Sequence, residues 1–134
     1  MEKKRQNLTK INIFSLNRKL PLKKKFIKNL IYKILKDEDR DLKEINVIFS
    51  NNKLLKDLNR KFFKKNRPTN VISFNLNDIA EIYISQQIAK NSQELLFFLI
   101  HGLLHICGYD HKTTSEERLM EKRCWKYLKD EHLC

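Results

Sequence analysis

His101, His105 and His111 are the side chains whose types and spacing point to chemistry, within the segment HGLLHICGYDH at 101–111. On a helix, residues four apart leave one face about one turn from each other, so His101 and His105 are neighbours. Two imidazoles so placed grip one ion from adjacent coordination corners. Gly108 then breaks the helix, and the turn beyond it returns His111 as a third nitrogen. Three neutral imidazoles leave a tetrahedral zinc with its fourth position open, the pattern of catalytic rather than structural sites. One zinc ion is therefore the expected cofactor, although three imidazoles also suit nickel, cobalt and copper. A single histidine on an apolar helix is most often a satisfied core residue. A pair at this spacing, with a third after a helix-ending glycine, is harder to satisfy without a metal. His132, in the polar C-terminal stretch, receives no role.

The spacing HxxxHxxxxxH also matches the long zinc motif of the metzincin proteases, in which a Glu follows the first His as general base. Here that position is Gly102, so peptide hydrolysis is a weaker reading. No catalytic base stands out. Asp110 adjoins a ligand and is placed to orient a histidine from behind. Glu94, seven residues before His101, belongs near the first turn of the helix, where an acid favours the dipole. Cys107 falls two residues past His105, on the other side of the helix, and is not expected to ligate.

The elements that must position these residues follow from periodicity. Residues 10–16 (KINIFSL) and 44–49 (EINVIF) alternate as strands. Between them Pro21 opens a helix carrying Phe26, Ile27, Leu30, Ile31, Ile34 and Leu35, which DEDRD at 37–41 ends. Asn51 or Asn52 caps a second helix with the stripe Leu54, Leu55, Leu58 and Phe62. After a basic loop at 64–68, residues 69–76 and 79–85 read as two strands joined through Asn77-Asp78 as a hairpin. From Gln93 to Cys107 the pattern is helical and apolar on most sides, which predicts the buried centre of the fold. Residues 114–130 form the last helix, with Leu119, Trp125 and Leu128 among its apolar contacts. The expected architecture is α+β: a single domain over 1–134, a small mixed sheet of about four strands packed with helices, and the metal site at the central helix.

Composition sets outer bounds. The 134 residues suit one core, 41% of them are hydrophobic, and two glycines and two prolines leave little room for linkers. A net charge of +12 attracts polyanions, although a chain rich in Lys, Asn and Ile carries such a bias from its codon usage as well. The three cysteines lack CxxC spacing, so neither a disulfide framework nor a disulfide-linked partner is expected. The charged N-terminus is no signal peptide, and the run Leu95 to Ile100 is too short to span a bilayer. A cytoplasmic protein with reduced cysteines and no membrane partner is the expectation.

HGLLHICGYDH closely resembles the signature of the YbeY endoribonucleases, bacterial proteins of rRNA maturation and ribosome quality control. The similarity extends to LNRKFFKKNRPTNVISF at 58–74, through EIYIS at 81–85, and on to Glu116 and Met120. The resemblance implies a metal-dependent, single-strand-specific endoribonuclease whose partners are single-stranded RNA, 16S rRNA and the small ribosomal subunit. It also implies His101, His105 and His111 as the ligands, in agreement with the spacing. Arg60, Lys61, Lys64, Lys65 and Arg67 are the expected RNA contacts, holding phosphates beside the metal. Some positions depart from the family's pattern. Phe63 stands where the family usually carries an arginine, Glu81 where it usually has Asp, and Ala80 where it usually has glycine. A different reading is a non-cleaving, ribosome-associated RNA-binding factor with a structural zinc, and a more distant one is a metzincin-like peptidase.

Overall fold

Alternating apolar residues make the strands here and a 3.6-residue repeat makes the helices. The computed structural model describes residues 9–16, 19–64, 69–110 and 112–131. Along the chain they form β1 (Lys10–Ser15), α1 (Lys24–Asp37), β2 (Glu44–Ser50), α2 (Asn52–Phe63), β3 (Val71–Leu76), β4 (Ile79–Ser85), α3 (Ser92–Ile106) and α4 (Thr114–Asp130). The strands pair in the order β1-β2-β4-β3, with β1–β2 and β2–β4 parallel and β3–β4 antiparallel. This is the expected α+β domain with a small mixed sheet. Parallel neighbours need crossovers, and α1 and α2 lie in those connections. The hairpin turns through Asn77, whose φ of 70° is the left-handed conformation that asparagine tolerates.

One sheet face is dry. Ile11 and Ile13, then Ile45, Val47 and Phe49, then Ala80, Ile82 and Ile84 point to it and join one core with α1, α3 and α4. Nine residues of α3 are buried, as its pattern predicted for a central helix. On α4 the buried row is Met120, Cys124, Tyr127 and Leu128. Leu119 and Trp125, expected among the apolar contacts, flank that row and stay half-exposed, Trp125 lying against Phe97 at 5.2 Å. Sequence spacing also places α1 too early. The helix starts at Lys24 rather than beside Pro21: the chain bends at Pro21 and Leu22, Leu20 and Leu22 pack on the core, and Lys23 is extended as the N-cap.

Among the described residues, the helix that covers the opposite sheet face is α2. Asn51 caps that helix by accepting from the Leu54 amide at 2.8 Å, and Leu55 and Asn59 are its buried residues. Phe62, expected on the buried stripe, is instead 54% exposed: the buried row passes through Leu55 and Asn59 and leaves Phe62 at the margin. Phe14 on β1, also half-exposed, lies beyond the cover that α2 provides.

Candidate metal centre and adjoining groove

The helix that carries the histidines is stopped and started by local chemistry. At its N-terminus Asn91 accepts from the Glu94 amide, and the Glu94 carboxylate accepts from the Lys90 amide, both at 2.8 Å. Glu94 therefore belongs to the helix cap, not to the ion site. At the other end Gly108 has φ +108°, a conformation that strains any side-chain-bearing residue. The amides of Gly108 and Tyr109 donate to the His105 and Leu104 carbonyls at 3.0 and 2.9 Å, closing the last turn. The chain then reverses over the end of α3.

His101 and His105 are half-buried, with ring centroids 4.9 Å apart and planes at 71°. Nδ1 of His105 lies 3.1 Å from the Tyr109 carbonyl oxygen. A carbonyl only accepts, so this contact places a ring hydrogen on Nδ1, and in the neutral imidazole the lone pair is on Nε2. An imidazole oriented in this way by a backbone carbonyl is the usual state of a metal ligand. The donor set present thus fits a transition-metal ion. His111, the third expected ligand, lies outside the described residues. Among the described residues no group of three or more His, Cys, Asp or Glu is placed to hold an ion. Burial and the nearby Glu38 carboxylate push the Cys107 thiol up to about 12.

Gly102 has a structural reason. A Cβ built there would lie 2.9 Å from Ile82 Cγ2 and 3.0 Å from Ser73 Oγ and Val71 Cγ2. That side of α3 faces the sheet, and the Ser73 hydroxyl donates to the Gly102 carbonyl at 3.0 Å. The position that holds the base in metzincins is here a close helix–sheet contact.

Two side chains that sequence spacing did not mark hold the loop after α3. Glu38, whose side chain is only 8% exposed, accepts from the hydroxyls of Tyr109 and Tyr127 and from Arg123. Burial alone would raise its carboxyl; the hydrogen bonds from Tyr127, Arg123 and Tyr109, with the Arg123 charge, hold it below the usual value. Arg40 donates to the Ile106 carbonyl at 3.2 Å, to Asn75 Oδ1 at 2.9 Å and to the Asn77 carbonyl at 2.8 Å. It binds the end of α3 to the β3–β4 hairpin. No motif announces either residue, because their partners are far away in sequence.

His105 opens on two hollows. The larger, about 530 Å³, runs between α2 and the end of α3 and is lined by Asn59, Phe63, Ser73, Asn75, His105 and Asp110, among others. The smaller, about 240 Å³, also takes in His101. Of the expected RNA contacts, Arg60 and Lys61 sit on the last turn of α2 and Lys64 caps it at φ 57°. All of them are exposed, but the groove wall in that turn is made by Asn59 and Phe63 instead. Arg60 also pairs with Asp57 at 3.3 Å. Lys65 and Arg67 lie outside the described residues.

Fold and groove together define a small α+β protein whose central helix presents paired imidazoles to a cleft. The profile of a family described as Endoribonuclease YbeY matches residues 12–131. The chain is 39% identical to the Endoribonuclease YbeY of Ehrlichia canis, over 73% of this chain and 75% of that relative. With the protein of that name from Christiangramia forsetii it shares 31% identity over 92% of each chain. A solution structure of a Thermotoga maritima protein matches with a TM-score of 0.55 and 26% identity over 91% of both chains. The chain belongs to the Endoribonuclease YbeY family.

Proposed function

We propose that this chain is a zinc-dependent, single-strand-specific endoribonuclease of the cytoplasm that acts on 16S rRNA and the small ribosomal subunit, in rRNA maturation and ribosome quality control. Family membership carries the coarser part, a hydrolase acting on RNA phosphodiester bonds. The observation that supports metal dependence is the paired imidazoles at the groove, with His105 Nδ1 engaged by the Tyr109 carbonyl. His101, His105 and His111 are the proposed ligands.

Zinc bound there supplies Lewis-acid chemistry, polarising a phosphoryl oxygen and acidifying water. The chain's own residues do the rest. Ser73, bound to the Gly102 carbonyl, and Asn75, which donates to the Ile106 carbonyl at 3.3 Å, keep the groove floor at a constant distance from the histidines. Asp110, at the mouth of the groove, is 3.9 Å from Lys112. Arg60, Lys61, Lys64, Lys65 and Arg67 are proposed to hold the flanking phosphates of the strand. No catalytic base is assigned.

Purified protein is tested on a single-stranded rRNA fragment, alongside the His111→Ala variant and a chelated sample. Cutting that disappears in both controls is the expected result. Cutting that survives chelation would overturn metal dependence. A metal-loaded protein that binds the fragment without cutting it would move the reading to a non-cleaving RNA-binding factor.

A further inference from the structure

Phe63 occupies an unusual place for a phenylalanine. It is the last residue of α2, it is 46% exposed, and it lines the groove that also holds His105. Its ring stacks on Phe74 of β3, with centroids 6.1 Å apart and planes 21° from parallel. Phe74 is itself braced edge-on by Phe62 at 5.2 Å and by Tyr83 at 5.9 Å. An exposed aromatic of this kind costs solubility and is of little use to the core, whose residues lie on the other sheet face. Basic residues predominate on its turn: Arg60, Lys61 and Lys64 are exposed there, Arg60 pairing with Asp57 at 3.3 Å, and the Lys61 ammonium lies 5.4 Å from the Phe62 ring centroid. Rigid rings beside a basic stripe are the ingredients of a single-strand nucleic-acid platform, where bases stack and cations follow the backbone.

We infer that Phe63, backed by Phe74, is the stacking platform for an unpaired nucleobase of RNA whose backbone runs into the groove towards His105. This position then contributes to recognition through a base face. The arginine usual in the family at this position would contribute through a phosphate instead. Stacking is tolerant of base identity because every base has a π-face, but it requires the base to be unpaired. Preference for single strands at this subsite follows from the ring itself. The inference rests on the RNA reading above and assigns one of its subsites.

The test uses the full-length, metal-loaded protein and a short fluorescent oligouridylate with hydrolysis-resistant phosphorothioate linkages, compared with an abasic oligomer of the same backbone. Anisotropy should show wild-type protein preferring the base-bearing oligomer. Phe63→Leu, which keeps apolar bulk and loses the ring, should weaken that binding about 10-fold and leave the abasic oligomer unaffected. Phe63→Trp should retain the preference. Phe63→Arg should lose it and steepen the dependence of log affinity on log salt by about 0.7, the signature of one added phosphate contact on a single strand. Equal binding of the base-bearing oligomer by wild type and Phe63→Leu would overturn the platform while leaving the RNA reading intact. So would equal losses on both oligomers. A wild-type protein that binds neither oligomer would overturn the RNA reading and the platform together.

Discussion

The groove has two walls of different construction. The α3 wall, with His101 and His105, is dry behind and tied at its end by Glu38 and Arg40, which together engage Tyr109, Arg123, Tyr127, Asn75 and the Ile106 carbonyl. The α2 wall is, among the described residues, a single helix on its sheet face, and its last turn exposes Phe62, Phe63, Arg60 and Lys61. An ion site needs donor atoms held to within a few tenths of an ångström, which only over-determined packing provides. A strand of RNA is long, charged and adaptable, so cations and rings at the surface suffice to guide it. On the proposed function, rigidity and exposure are thus divided between the walls according to what each would bind.

The strongest way to break this division is to remove a donor from the rigid wall. His105→Ala should abolish stoichiometric zinc, measured by metal analysis of dialysed protein. RNA cleavage should fall by more than about 100-fold, the upper end of what the loss of a mere supporting partner costs. A variant that keeps one tightly held ion would show that the histidine pair is not the metal centre.

Glu38→Gln sharpens the comparison, because it loosens the rigid wall without touching a proposed ligand. It removes a largely buried carboxylate from three hydrogen-bond donors. A loss of about 2–3 kcal/mol in unfolding free energy at neutral pH is expected. The folded-state carboxyl lies below its ordinary value, so its stabilisation is present above the unfolded value of about 4.3 and is lost as pH falls through the folded one. Urea denaturation at several pH values should therefore show the gap between wild type and variant closing below about pH 4. A gap that does not change with pH would mean that the carboxylate charge contributes nothing.

Gly102→Ala is the smallest of these perturbations. A methyl group against Ile82, Ser73 and Val71 forces α3 away from the sheet at about 1–3 kcal/mol, offset by about 1 kcal/mol of helix propensity. A net loss of about 1 kcal/mol is expected, against which an alanine substitution on exposed α2 surface, such as Lys53→Ala, should be within about 0.5 kcal/mol of wild type. Equal or greater stability of Gly102→Ala would show that this wall yields more easily than its packing indicates.

What could be read before folding was local. The β3–β4 hairpin, the termination at Gly108 and the central position of α3 each depend on residues within a few positions of one another, so periodicity and turn chemistry reveal them. The pairing of His101 with His105 is of the same kind, being a property of one helical turn. Phe62 shows the limit: it continues the apolar stripe of α2, but at that end it only meets the Phe74 ring edge-on and stays 54% exposed. Leu119 and Trp125 are the same case on α4, where a single row suffices to cover α3.

The sequence by itself determined the α+β class, the helix that bears the histidines, and the family to which those motifs belong. Only the tertiary structure decided that Glu38 reaches Tyr109 across 71 positions and Arg123 across 85, that Arg40 binds the end of α3, and that Phe63 lines the groove. The physical reason is range. Helix and strand periodicity is set by backbone geometry over a few residues, whereas a buried carboxylate finds its donors only after the sheet and helices have packed.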